Sequence, residues 1–213
     1  MGVVSHSLRR EQAPPVLIGL IGGVAAGKST VADELVRLGA GRLDADRAGH
    51  EALRDPQVVA AARQRWGDAI LGADQDIDRK ALAQIVFGSA EQAPDERRYL
   101  ESLTHPLIGQ QLAQQLAEMT AAGVRIVVVD APLLLKSGWD QMCSKIIFIE
   151  ADHSVRLARA IERGWTADDF AAREAAQEDL TAKREAADFV IDNSGSLAST
   201  RDQIERLWPQ LST

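Results

Sequence analysis

The run Val16-Leu17-Ile18-Gly19-Leu20-Ile21-Gly22-Gly23-Val24-Ala25-Ala26-Gly27-Lys28-Ser29 decides the reading of the whole chain. Its first six residues form a nearly continuous apolar segment between Pro15 and Gly22-Gly23. Such a segment suits a strand covered on both faces, as in a parallel sheet. From Ser29 onward, Val31, Leu35 and Leu38 recur at helical spacing and Gly39 supplies a stop. Between strand and helix, Gly22 to Ser29 fit G-x-x-x-x-G-K-[ST] at every fixed position. The glycines let the backbone curl so that successive N–H groups face inward around a phosphate. Lys28 adds positive charge at the β- and γ-phosphates, the Ser29 hydroxyl suits Mg²⁺, and the helix points its positive end at the same place. Gly23, Val24, Ala25, Ala26, Gly27, Lys28, Ser29 and Thr30 are the expected nucleotide-binding residues, with Ser29 the metal ligand.

Composition sets the frame around this loop. The chain has 213 residues, 46% hydrophobic and 26% charged. That balance excludes a disordered, collagen-like or coiled-coil chain. Twenty-four basic against 31 acidic residues give a formal net charge of −7, which argues against bulk nucleic-acid binding. A single cysteine, Cys143, permits no intramolecular disulfide and no CxxC zinc site, so a reducing, cytoplasmic location is expected. No run approaches 18 apolar residues, so no membrane partner is expected. Residues 1–15 hold Arg9, Arg10 and Glu11 without an apolar run and read as a flexible tail, not a signal peptide.

Further along, residues 41–46 read as a short strand ending in Asp44-Ala45-Asp46, followed by strands at 124–129, 145–149 and 189–191. Residues 47–122 are rich in good helix formers and read as several helices punctuated by Pro56, Gly67, Gly72, Pro94 and Pro106. Helices are expected over 152–162, over one charged stretch at 168–187, and over 197–207. Strands alternating with helices predict an α/β fold of the P-loop NTPase type, its mainly parallel sheet flanked by helices. Two helical excursions interrupt this core, and the family resemblance given below implies that the first is a helical acceptor-binding insertion and the second a helical lid. The expected organisation is one domain over 16–210: a core at 16–46, 123–150 and 187–210, the insertion at 47–122, and the lid at 151–186.

Three nucleotide-dependent classes share such a loop. A GTPase usually reads guanine with N-K-x-D, but the chain's one Asn, Asn193, precedes Ser194. A motor ATPase usually follows its second acidic strand end with a Glu, whereas Asp130 here precedes Ala131-Pro132. A kinase needs a group to accept or orient a substrate hydroxyl proton, arginines for the transferring phosphoryl, and a pocket that excludes water. Asp44 and Asp46 supply the first, on a strand expected beside the phosphate loop, where strand ends line the ligand crevice. Arg156, Arg159 and Arg163 supply the second. Asp130 either tunes Mg²⁺ through water or caps the next helix.

With these residues in view, the chain resembles the dephospho-coenzyme A kinase family over about residues 16–208. The resemblance is carried by six segments in the family's order. They are IGLIGGVAAGKSTVA at the phosphate loop, LDAD at Leu43–Asp46 with His50-Glu51 after it, and IDRKALAQIVF at Ile77–Phe87. LTHPLI at Leu103–Ile108, VVVDAPLLLKSG at Val127–Gly138 and ADFVIDNSGS at Ala187–Ser196 follow. The resemblance implies transfer of the ATP γ-phosphoryl to the 3′-hydroxyl of the dephospho-coenzyme A ribose, giving coenzyme A and ADP. Another nucleoside or nucleotide kinase of the same fold is the alternative. It further implies Asp46 as base, Asp44 as its support or holder of a Mg²⁺-bound water, and Lys28 bridging the β- and γ-phosphates. Arg159 and Arg163 become lid arginines on the phosphates. Asn193 and Gly195 pass the ATP adenine, and Arg79, His105 and Pro132 lie on the acceptor side.

Two features depart from the family's pattern: Lys136 stands where a Glu is usual, and the turn Arg163-Gly164-Trp165-Thr166 is one residue shorter. Other residues read as structural. Trp66, Trp139, Trp165 and Trp208 read as packing residues, with contact to a ligand the alternative for Trp139 and Trp165; Cys143 reads as an apolar filler, and the run from Arg173 to Glu185 as a solvated helix.

Overall fold

A computed structural model describes residues 14–88, 90–130, 139–177 and 179–211. Most of the expected tail, together with Pro132 and Lys136, lies outside the described residues. The first strand, β1, spans Val16–Gly22 and runs into the phosphate loop, and helix α1, Lys28–Arg37, leaves it. Strand β2 (Gly41–Asp44) passes directly into α2 (Ala45–Ala52), and α3 (Pro56–Trp66), α4 (Arg79–Val86) and α5 (Ala93–Ala121) follow. The chain returns through β3 (Ile126–Asp130) and β4 (Lys145–Glu150). It continues through α6 (His153–Glu162), α7 (Ala167–Ala175) and α8 (Leu180–Glu185), and ends in β5 (Phe189–Asp192) and α9 (Leu197–Leu211).

The five strands form one parallel sheet in the order β2-β3-β1-β4-β5. Strand alternation divides the core cleanly. Ile18, Leu20, Ile126, Val128, Ile147 and Ile149 face α1 and α9, meeting Val31, Leu35, Ile204 and Leu207. Ile21, Val127, Val129 and Phe148 face the opposite layer, meeting Ala48 of α2 and Leu112 of α5. Glu34, buried on α1, ties α9 down by accepting from Arg201 Nε at 2.9 Å. A third cluster, with Val58, Ala62, Ile70, Leu82 and Val86, binds α3 and α4 to α5. A fourth joins Ala25, Ala160 and Phe170, so the phosphate loop packs under α6 and α7.

Several expectations need correction. Strand β2 does not lie beside β1, because β3 separates them. Asp46 is not on the strand end but in the first turn of α2, with Asp44 as the N-cap. Pro106 does not break a helix; α5 runs through it for 29 residues, about 44 Å. The proline removes one donor in the ladder, and the exposed helix face lets water replace it. His105 consequently sits in the middle of α5, exposed. The charged stretch 168–187 is two helices, with Asp179 capping α8 by accepting from Thr181 N–H at 2.9 Å. Lys183 on α8 is buried and not part of a solvated face. No helix among the described residues is long and apolar enough to cross a membrane.

Candidate active site

The phosphate loop is shaped by two left-handed positions, Ala25 (φ 56°) and Gly27 (φ 94°). At Gly27 a Cβ would stand 2.1 Å from Asn193 Nδ2, so any side chain collides as well as strains the backbone. Helix α1 starts at Lys28 with no side-chain cap. Its first-turn N–H groups therefore point their partial charge at the loop, ready for an anion. The loop's carbonyl oxygens turn outward and are held there. Ala26 O accepts from Asn193 Nδ2 at 2.7 Å and from Arg159 Nη1 at 3.2 Å, and Val24 O accepts from Arg156 Nη1 at 3.5 Å. Lys28 Nζ donates back to Gly22 O and Gly23 O at 3.4 and 3.3 Å.

A cavity of about 670 Å³ opens over this loop, lined by Val24 to Ser29 together with Asp44, Asp46 and Asp130. Arg42, Arg163, Trp165, Arg173 and Gln177 complete its wall. Strand β2 brings Asp44 there, and the start of α2 brings Asp46, although β2 is one strand removed, because the crevice spans the carboxyl ends of several neighbouring strands. Asp44 Oδ1 accepts from Arg47 N–H at 2.9 Å, so this side chain caps α2 and faces the site at once. Asp46 is an exposed residue overall, yet the protein around its carboxyl partly shields that group from water. Desolvation pushes it above the usual aspartate range, with Asp44 and Asp130 adding to the rise and His50 and Lys28 opposing it. Burial lowers the Lys28 ammonium; Asp130 opposes that, and Lys183 and Arg163 deepen it. Asp130 is itself pinned by Arg42, whose Nη2 lies 2.6 Å from Asp130 Oδ2 and whose Nη1 lies 2.8 Å from Asp33 Oδ1. Arg42 Nε is buried without a hydrogen-bond partner among the described residues.

Ser29, Asp44 and Asp130 offer only hard oxygen donors on one cavity wall. Among the described residues no three His, Cys, Asp or Glu side chains cluster as a metal cage. That donor set fits Mg²⁺, which is usually held by one or two protein groups together with substrate phosphates.

The expected arginines separate. Arg163 lines the cavity. Arg159 is turned onto the back of the loop, donating through Nη2 to Asn193 O at 2.8 Å as well as to Ala26 O. Asn193 is buried behind the loop, with its Oδ1 accepting from Thr200 Oγ1 at 2.9 Å, while Gly195 is exposed. A second cavity of about 680 Å³ begins one residue beyond Asp46. Arg47, His50, Arg54, Arg79 and Lys80 line it together with Glu51, Asp74, Asp76 and Asp78. His105 lines neither cavity, and Pro132 lies outside the described residues.

Sequence reasoning missed Arg42, Arg173 and Gln177 as cavity residues and held a ligand contact only as the alternative for Trp165. For Arg42 a signal existed: it stands two positions before Asp44 on a strand, hence on the same face. Trp165 both packs with Ala25 and Phe170 and lines the cavity, with Arg173 Cζ 4.2 Å from its ring centroid. Gln177 carries no spacing signal.

Residues 16–199 match the family described as dephospho-CoA kinase. A dephospho-CoA kinase of Symbiobacterium thermophilum is 38% identical over 194 residues, covering 90% of this chain and 80% of that one. Among solved structures, the Thermus thermophilus protein TT1252 superposes with a TM-score of 0.81 at 29% identity, covering 94% of this chain and 100% of that one. A dephospho-CoA kinase from Campylobacter jejuni gives 0.63 at 25% identity, covering 94% and 99%.

Proposed function

The chain belongs to the dephospho-CoA kinase family, an ATP-dependent phosphotransferase acting on the 3′-hydroxyl of dephospho-CoA, and we propose that Asp46 takes the proton from that hydroxyl. One observation supports this most directly. Asp46, Lys28 and Ser29 line one cavity, and the next residue, Arg47, opens the second. An acceptor lying across Asp46 thus has its hydroxyl beside the phosphate loop and its remainder among the helices. Cations at Arg47, Arg54, Arg79 and Lys80 suit the acceptor's diphosphate.

The raised Asp46 carboxyl is a stronger base than an ordinary aspartate, which favours proton removal as the oxygen attacks. Lys28 is desolvated and sits among Arg163 and Lys183, so a phosphate chain relieves repulsion there. Lys28 would bridge the β- and γ-phosphates, and Arg163 would face the charge that spreads over the phosphoryl oxygens. Arg159, already engaged by the carbonyl oxygens of Ala26 and Asn193, supports the loop that holds the phosphates. The exposed turn at Gly195 is our reading for the adenine edge. Mg²⁺ bound with ATP neutralises phosphate charge, and Ser29 with Asp44 and Asp130 would hold it or its waters. The α6–α8 segment acts as a lid in this reading. A cytoplasmic setting is supported by the single cysteine.

The test is ADP release with MgATP, comparing dephospho-CoA, adenosine, AMP and no acceptor. Release with dephospho-CoA alone, giving coenzyme A, is expected. Release with another acceptor redirects the substrate assignment, and release without any acceptor replaces the kinase by an ATPase.

A further inference from the structure

Among the described residues, three side chains of the α6–α8 segment hydrogen-bond to the phosphate loop, and they do so differently. Arg156 and Arg159 donate to carbonyl oxygens on its outer side. Gln177 instead presents an acceptor: its Oε1 takes the Val24 N–H at 3.1 Å. Gln177 also lines the phosphate cavity with Val24, Lys28 and Asp46. Phosphoryl oxygens seek the inward N–H groups of such a loop, so the Gln177 carbonyl oxygen stands where a phosphoryl oxygen would accept.

The position along the loop identifies which phosphoryl. The uncapped start of α1 marks one end of the loop. Val24 marks the other, next to the Gly22 and Gly23 carbonyls on which Lys28 Nζ rests. Lys28 serves the β–γ junction. The Val24 end, over which the Lys28 ammonium reaches back, is therefore the end of the transferred group.

We propose that Gln177 reads the γ-phosphoryl of ATP. Without it, the carboxamide oxygen holds the Val24 N–H. With it, a phosphoryl oxygen takes that N–H, and the carboxamide rotates to donate its NH₂ to the same phosphoryl. A carboxamide carries both functions on one broad terminal torsion, so the exchange needs no backbone movement. Gln177 lies two residues past α7, which carries Arg173, and so couples that wall of the cavity to a triphosphate rather than a diphosphate. The inference rests on the ATP-dependent kinase reading above.

Titration calorimetry with MgATP and MgADP, without acceptor, tests it on the wild-type chain, Gln177→Glu and Gln177→Ala. A carboxylate accepts from Val24 N–H but repels a γ-phosphoryl. Gln177→Glu is therefore expected to raise the ATP Kd about tenfold or more relative to the ADP Kd. Unchanged ADP binding reports an intact fold. Should Gln177→Glu lose ADP binding, the same ratio is read from Gln177→Ala. A ratio shift of about threefold or more supports the proposal, and a smaller one overturns it. Wild-type protein that binds neither nucleotide overturns this inference and the kinase reading together. Wild-type protein that phosphorylates a different acceptor overturns the acceptor assignment alone.

Discussion

At Asp46 catalysis and stability pull in opposite directions. Desolvation, Asp44 and Asp130 hold its carboxyl above the usual aspartate value, so ionising it at neutral pH costs the folded chain free energy. The folded value lies above the unfolded one. The group's contribution therefore favours folding fully below about pH 3.9 and is lost as pH rises through the folded value. Asp46→Asn should then lower kcat by about a hundredfold or more while leaving ATP affinity within a few-fold and raising Tm. Turnover close to wild type would reject Asp46 as the base; a lowered Tm would reject the electrostatic account. The acid limb of kcat/KM against pH, which reports the free enzyme, should fall above the range of an ordinary aspartate, and a limb at or below about pH 3.9 would count against the raised carboxyl. Asp46 was legible as a candidate because Asp-x-Asp after a strand is short and local. Its helical placement was not, because Asp44 stands both as the last strand residue and as the cap of α2.

Among the elements, the strand–loop–helix unit was the most readable part of the fold. Its glycines, lysine and flanking apolar residues all lie within one short window. What holds the loop was invisible there. Asn193 Nδ2 reaches Ala26 O at 2.7 Å from 167 positions away, and Thr200 Oγ1 completes the Asn193 side chain at 2.9 Å. Thr200→Val keeps the shape but strands the buried Asn193 oxygen. It should cost about 1–3 kcal/mol, measured by urea unfolding. Gly27→Ala meets both a left-handed φ of 94° and the Asn193 amide, and should abolish ATP binding in calorimetry; retained binding would sink the account of the brace. The α7–α8 break was missed because no Gly or Pro lies between Asp168 and Ala187; Asp179 was the faint signal of a new start. Pro106 was overread in the opposite sense, since a proline weakens a helix without ending one that packs as well as α5.

For the whole molecule, β2, α1, α6 and α7 bring cationic side chains together in a chain whose formal net charge is −7. Lys28, Arg42, Arg163 and Arg173 share a single cavity with Asp44, Asp46 and Asp130, so cations outnumber carboxylates there and a triphosphate meets a locally positive site whatever the overall sign. Because the nucleotide binds the folded state, MgATP at about a hundred times its Kd should stabilise the protein by ~2.7 kcal/mol. A thermal scan of the wild-type chain should show that shift, and Lys28→Ala should not. The alternation of strands and helices made the fold class legible over this length. The strand order was not, because a register such as Gly41 beside Val127 joins segments far apart in the chain. The Asn193 brace also has a consequence for how the protein is made. A ribosome adds about 5–20 residues per second, so the loop is synthesised roughly ten to thirty seconds before the residue that fastens it. During that interval the nascent chain displays the full phosphate-binding motif but lacks the contact that shapes it. A chain that stops short of Asn193 therefore carries the motif without the side chain that fastens Ala26 O.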